Sequence, residues 1–224
     1  MYCISDTIIF EPEYNKPLDI NLISQYKKII FSDYQLSEGI CEAYKNNIFN
    51  NFKLIYSNFN QEVNMLPQLL THLTFGYDFN QEVTKLPLLL THLTFGTNFN
   101  QEVNMLPQLL THLTFGNCFN QEVNLLPYQL IHLTLGYEFN KPNIYLPLGI
   151  KYLKLNCNNS HINFHIIAQL SSNIEVLELG YNFNLELNDL PNSLKKIIFY
   201  RYSKYNKELN CLPKFVEHIQ LPYK

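Results

Sequence analysis

The sequence predicts a repeat solenoid: coils of about twenty residues wound as a right-handed superhelix around one parallel β-sheet, with an extended or 3-10 outer side and a few short helices. Three observations carry this. A twenty-residue block recurs without a gap, its closing residues alternate polar and apolar, and Leu-Pro and glycine punctuate the copies at fixed places.

The block is plainest in four copies: FNQEVNMLPQLLTHLTFGYD from Phe59, FNQEVTKLPLLLTHLTFGTN from Phe79, FNQEVNMLPQLLTHLTFGNC from Phe99 and FNQEVNLLPYQLIHLTLGYE from Phe119. A weaker copy begins at Phe139, and the signature returns after insertions at Phe183 and Tyr205. Toward the start it persists in degraded form. Ile8 and Phe10 precede Tyr14-Asn15 as Leu73 and Phe75 precede Phe79-Asn80, Ile29 and Phe31 precede Tyr34, and Phe52, Leu54 and Tyr56 lead into Phe59. With strands near residues 73, 93, 113, 133, 153, 177, 197 and 219 this makes eleven expected coils. The whole chain, 1–224, is read as one solenoid domain, with degenerate coils over 1–58, regular repeats over 59–158 and degenerate coils over 159–224. Residues 18–26, 37–49 and 161–170 carry apolar residues at helical spacing (Ile40, Tyr44, Ile48; Ile162, Ile166, Leu170), which predicts short outer helices there.

In His-Leu-Thr-Phe the period of two sends Leu73 and Phe75 inward and His72 and Thr74 outward. Stacked parallel strands turn each repeat position into a column. Leu73 to Leu153, Phe75 to Leu135 and Phe79 to Phe183 form three inward columns, joined by Val63, Leu66 and Leu70. Six buried side chains cannot offset the ordering of twenty residues, so stability belongs to the stack and not to a coil. Gly76, Gly96, Gly116, Gly136 and Gly180 follow the strand, where a bend that tolerates positive φ is expected. The prolines of the Leu-Pro pairs suit an extended or first-turn outer side. Asn60, Asn80, Asn100, Asn120, Asn140, Asn184 and Asn206 each follow the aromatic residue, and are expected as a buried structural ladder bonding the backbone of their own and the next coil.

Units of LPxxLxxLxF followed by a turn and FN resemble leucine-rich repeats, above all the short bacterial form, and the FN…LP…L…F-G rhythm resembles the FNIP-repeat family, found largely in amoebal and giant-virus proteins. The resemblance is tight over 59–155, recognisable over 177–222 and loose over 1–58. It implies a leucine-rich-repeat-like solenoid with a protein-interaction role and no known catalysis. Here Glu-Val replaces the Ile-Pro of the family name, with Lys141-Pro142 and Asn143-Ile144 coming nearer. No Leu-Pro-led F-box pattern stands within 1–58, which argues against a ubiquitin-ligase adaptor.

The composition excludes several classes. A formal net charge of -3, with 15 Lys and the single Arg201, argues against nucleic acid as a partner. Five cysteines without a CxxC pair indicate neither a zinc site nor a disulfide framework and fit a reducing interior. No apolar run reaches membrane length and Asp6 and Glu11 break the N-terminal one, so an intracellular, cytoplasmic protein of the producing or host cell is expected, with no membrane partner.

Candidate chemistry is sparse. His72, His92, His112 and His132, with Thr74, Thr94, Thr114 and Thr134 beside them, line the outward strand face. Four imidazoles at one-coil spacing invite a metal or a pH switch, yet side chains that run parallel do not converge on a tetrahedral ion, and duplication of one exposed His also explains the column. Glu62, Glu82, Glu102 and Glu122 form an acidic column that either attracts a basic partner or is simply solvated. No GxSxG, catalytic Cys motif or phosphate-cradling glycine loop occurs, so neither an enzyme nor a cofactor is expected. Tyr200, Arg201 and Tyr202 break the period and are of the types enriched at binding hot spots, against the alternative of a lengthened turn in which Tyr205 fills the aromatic column. The expected role is a non-catalytic scaffold that presents its exposed sheet face to another protein. A self-assembling structural repeat is the alternative, and behind it a polysaccharide-acting enzyme, which would need a charged cluster breaking the repeat at one place.

Overall fold

The computed structural model describes residues 1–34, 55–141 and 144–223, and it places the chain in a parallel β-solenoid of ten coils. One sheet runs through in sequence order: β1 (Tyr2–Ile4), β2 (Thr7–Phe10), β3 (Lys28–Phe31), β4 (His72–Thr74), β5 (His92–Thr94), β6 (His112–Thr114), β7 (His132–Leu135), β8 (Tyr152–Leu155), β9 (Val176–Leu179), β10 (Lys196–Phe199) and β11 (His218–Gln220). From β2 onward every neighbour is parallel and in repeat register, with Leu73 beside Leu93, Leu93 beside Leu113 and Leu113 beside Leu133.

The N-terminal end differs from expectation in two ways. β1 folds back antiparallel on β2 through a tight turn at Ser5, whose φ of 54° lies in the left-handed region. Tyr2–Ile4 has no repeat mate, so periodicity passes over it. β3 pairs directly with β4, Lys28 beside His72, and of the strand expected around Phe52, Leu54 and Tyr56 the described residue, Tyr56, lies outside the sheet. Asp33 bridges this junction: its carboxylate accepts the backbone N–H groups of Ser57 and Tyr77, each at 2.8 Å. The expected helix at 37–49, Phe52, Leu54, Pro142, Asn143 and Lys224 lie outside the described residues.

Among the described residues, two short helices replace extended outer segments. α1 (Ile20–Ile23) is capped by Asp19, and α2 (Ser160–Ala168) by Asn159, whose side chain accepts the His161 N–H at 2.8 Å. α1 is shorter than the expected 18–26. In the regular coils the outer side is two turns, one closed by Leu70 N–H on the Pro67 carbonyl, with no helix.

The core is a stack of aromatic columns. Phe75 lies 3.6 Å from Phe79 within a coil, centroid to centroid, and Phe59, Phe79, Phe99, Phe119 and Phe139 follow one another at 6.0 to 6.2 Å between coils. All of these side chains are buried. Each inward Leu or Phe gains dispersion contact on both flat sides, which a single coil cannot supply.

The glycine column has a different cause from the one expected. None of these glycines has positive φ. A Cβ on Gly96 would meet the Gly76 carbonyl oxygen at 1.8 Å, and one on Gly136 the Gly116 oxygen at 1.8 Å. The coils approach so closely here because the turn after the strand is itself a backbone ladder, with Asn98 N–H on the Tyr77 carbonyl at 2.9 Å and Glu138 N–H on that of Asn117 at 2.8 Å. Glycine is needed for the approach and not for the dihedral.

The asparagine column also needs correction, since these residues are half-buried or exposed. The side-chain oxygen of each accepts the backbone N–H of its mate one coil on: Asn15 from Asn60, Asn60 from Asn80, Asn80 from Asn100, Asn100 from Asn120 and Asn120 from Asn140, at 2.9 to 3.0 Å. Gln81, Gln101 and Gln121 add a side-chain N–H to the same oxygens. Asn140 instead meets the Asn159 amide at 2.7 Å, and Asn184 accepts from Asn206 at 3.1 Å.

Candidate functional site: the concave sheet face

The outward strand positions form one continuous face. Its curvature follows from ring spacings: successive His rings in this face lie 4.1 to 4.2 Å apart, whereas the Phe59 to Phe139 column behind the sheet steps by about 6.1 Å. A difference of about 2 Å per coil, over layers roughly 10 Å apart, turns each coil by about 10°. Over these coils the sheet face is therefore the concave one.

The four imidazoles are half-buried and stacked, not freely exposed, with interplanar angles of 10°, 11° and 15°. Their orientation is locked from behind. The Thr91 hydroxyl donates to the Thr71 carbonyl at 3.1 Å, and the same oxygen lies 2.9 Å from Nδ1 of His92. A hydroxyl has one proton. With that proton on the carbonyl, His92 Nδ1 is the donor and Nε2 is left as an outward acceptor. Thr111 repeats this for His112, and Thr71 does so for His72 against the Lys27 carbonyl. In the fourth copy Ile131 takes the Thr place, and His132 stacks on Tyr152 at 5.1 Å instead.

Burial lowers the pKa of all four. His112, in the middle, falls to about 4, first through desolvation and then through His92 and His132. For His72 the Lys28 charge adds to the fall and Asp6 opposes it. At neutral pH the column is uncharged, and His72, His92 and His112 present Nε2 acceptors beside the row of hydroxyls of Thr74, Thr94, Thr114 and Thr134. Those hydroxyls are half-buried and make no hydrogen bond among the described residues. The Nε2 lone pairs are translational copies that do not converge, and among the described residues no group of three or more His, Cys, Asp or Glu is placed to hold a metal ion.

Beyond β7 the face becomes charged. Tyr152 and Lys154 occupy the His and Thr rows of β8, and Tyr152 donates to Glu178 on β9, which also pairs with Lys154 at 2.5 Å. Glu175 sits between Lys151 at 3.0 Å and Lys195 at 2.8 Å, and these two lysines hold its carboxyl below the usual range. Sequence reading missed this cluster because α2 lengthens the intervening coil, so that Tyr152 pairs with Val176, off the twenty-residue count.

Tyr200, Arg201 and Tyr202 stand apart, at the exposed turn after β10, three strands beyond His132. The Arg201 guanidinium lies over the Tyr202 ring at 5.3 Å, and the Arg201 carbonyl accepts the Tyr223 N–H at 2.7 Å. Tyr205 fills the aromatic column, 4.2 Å from Phe199 and 6.3 Å from Phe183.

Ten parallel coils around phenylalanine columns define a leucine-rich-repeat-like solenoid. The FNIP Repeat family matches residues 58–88, 79–118, 163–200 and 184–224, together more than half of the chain, and the protein belongs to that family. Among solved structures it is similar to CroV588 from a giant virus, described as a novel circular LRR protein: 29% identity, TM-score 0.55, over 97% of this chain and 40% of that one. The chain thus spans well under half of that protein's length. No curated protein matches. Among the described residues no helix is long and apolar enough to cross a membrane.

Proposed function

We propose that the protein is a non-catalytic scaffold, one solenoid domain throughout, that holds another protein against its concave sheet face. The observation that carries this is the locked His column: four stacked rings, three of them with the tautomer fixed by a Thr hydroxyl, and a parallel row of unbonded Thr hydroxyls give a rigid patterned surface that needs no reordering on binding. A face that runs about 43 Å, nine steps of roughly 4.8 Å, has the reach of a protein interface and not of a small-molecule pocket. The charged cluster on β8 to β10 is the feature an enzyme would need, but each of its carboxylates is bound by lysine, which supports a fixed recognition patch over an acid and base of different pKa. β11, which pairs with no further strand among the described residues and whose Ile219 is only partly buried, supports self-assembly as the second reading.

Affinity capture from the native cell, followed by mass spectrometry, tests the proposal. One stoichiometric protein, recovered by the wild type and lost with Thr94→Lys and Thr114→Lys, is expected. Recovery unaffected by those changes would overturn the sheet-face reading, and light scattering that grows with concentration in the isolated chain would favour self-assembly.

A further inference from the structure

The opposite, convex side carries a surface that the scaffold reading does not use. Each regular coil presents there two turn tips, and many of the residues on them are large and apolar. Met65, Met105, Leu125 and Tyr145 stand in one column, 64 to 74% exposed, which Lys85 interrupts between the two methionines; Leu88 and Leu148, both above 70%, share the next with Gln68 and Gln108, and Leu69, Leu89 and Leu109 lie exposed beside them. These columns are real neighbours, because each outer flank is pinned at both ends in the same twenty-residue register: by the Asn60 to Asn140 ladder where it begins and by the β4 to β8 pairing where it ends. Such side chains, each exposing roughly 100 Å², together expose more than the few hundred Å² usual for an apolar patch on a soluble monomer, with Lys85 and the glutamines set among them.

The same flanks carry the acidic column. Glu62, Glu82, Glu102 and Glu122 stand three residues before the tips, and Lys85 is the single cation on the four regular flanks. Asn64 and Asn104 amides hold Glu62 and Glu102 at 3.0 and 3.2 Å, which fixes the carboxylates in place without neutralising them. Glu122 has Lys141 at 3.9 Å, whereas Glu62, Glu82 and Glu102 have no cation partner among the described residues. A ladder of like charges one coil apart is unfavourable until a cation enters it.

We propose that this convex face docks a cationic amphipathic protein segment, its apolar side on the Met and Leu columns and its lysines or arginines on the Glu column. A second copy of this chain does not fit, since it would set acidic column against acidic column, and an anionic lipid surface is repelled for the same reason. The inference rests on the scaffold reading for the presence of a partner but assigns that partner a different face.

The chain has no tryptophan, so the emission of a peptide's single Trp reports the peptide alone. The probe is an eighteen-residue Leu/Lys peptide patterned as an amphipathic helix with one Trp. Saturable binding with a blue shift is expected, weakened at least tenfold by Met105→Asn with Leu125→Asn, and several-fold, with a flattened salt dependence, by Glu82→Gln with Glu102→Gln. All four positions are exposed and outside the strands, and unchanged circular dichroism establishes that the variants fold. His92→Ala with His112→Ala, on the other face, leaves binding intact. Equal binding of a Leu/Glu peptide or of a scrambled Leu/Lys peptide, or indifference to both convex-face pairs, would overturn the proposal. So would a dimer dissolved by Met105→Asn, or phosphatidylglycerol vesicles binding in its place. A native partner lost only with the sheet-face variants would sink this inference and leave the scaffold reading standing.

Discussion

Replacing Gly96 by Ala isolates the contact that sets the spacing of the coils. In ordinary backbone with negative φ, Gly→Ala stabilises by about 0.4 to 1 kcal/mol through the unfolded chain. Here the new Cβ would lie 1.8 Å from the Gly76 carbonyl oxygen and 2.4 Å from its carbon, both backbone atoms that no rotamer change can move. The two coils must part by about 1 Å, which strains the Asn98 N–H bond to Tyr77 and the Asn100 N–H bond to Asn80, both 2.9 Å. Overpacking costs about 1 to 3 kcal/mol and each impaired bond about 0.5 to 1.5, so after the unfolded-chain gain a net loss of about 1 to 5 kcal/mol is expected. With a urea slope of about 2 kcal/mol per molar, the midpoint falls by about 0.5 to 2.5 M. Asn is the informative companion, because a left-handed turn tolerates it better than Ala whereas a close approach does not. Gly149→Ala is the control, its nearest atoms standing at 3.2 and 3.4 Å, and it should change little. A neutral Gly96→Ala, or a Gly96→Asn milder than Gly96→Ala, would refute the reasoning.

Other consequences can be checked singly. The imidazoles of the His column have folded pKa values below their unfolded ones, so the unfolded chain binds more protons between about pH 6.5 and the value of about 4 reached by His112. Their contribution is complete above that window and is lost as pH falls through it, by about 1 to 3 kcal/mol after discounting for partial exposure; urea midpoints against pH should show this slope, and His92→Gln with His112→Gln should flatten it. Asn100→Ala leaves the Asn120 N–H and the Gln121 amide without their acceptor, at 2.9 and 3.0 Å, and should cost about 1 to 2 kcal/mol in chemical denaturation, whereas Asn100→Asp retains most of it. Zn²⁺ should not raise the melting temperature of the wild type more than that of a His92→Ala, His112→Ala variant; a wild-type-specific gain would mean that the Nε2 atoms converge after all.

The regular coils were readable because one arrangement repeats until chance is excluded: LP, the alternating HLTF and the FN that follows fix strand, turn and inward columns at once, and Leu73, Phe75 and Phe79 sit where the pattern puts them. Features made by only one copy were not. Tyr2–Ile4 pairs antiparallel through a turn with no repeat mate, and the direct step from β3 to β4 depends on Asp33 binding two distant backbone groups. The glycine column was found for the wrong reason, since a sequence shows that a Cβ is missing but not whether space or dihedral excludes it. Curvature was hidden because it arises from the difference between imidazole spacing on one face and phenyl spacing behind it. At the site, the His and Thr columns were visible, but the ring stacking and tautomer depend on Thr71, Thr91 and Thr111, which read from the sequence as ordinary turn residues. The convex apolar columns escaped notice because Met65 and Leu66 are adjacent and look alike, one outward and one inward.

Distances between spin labels along one row of the sheet face test the stacking most directly. Thr74 stands four strand steps from Lys154, five from Glu178 and six from Ile198, through the parallel register of β4 to β10. Labels on Thr74 and each of these in turn should give about 19, 24 and 29 Å, equal increments of roughly 4.8 Å, slightly shortened by the concave curvature. Distances that fail to rise evenly with strand number, or that follow the uneven sequence separations instead, would contradict a molecule built from coils stacked in register.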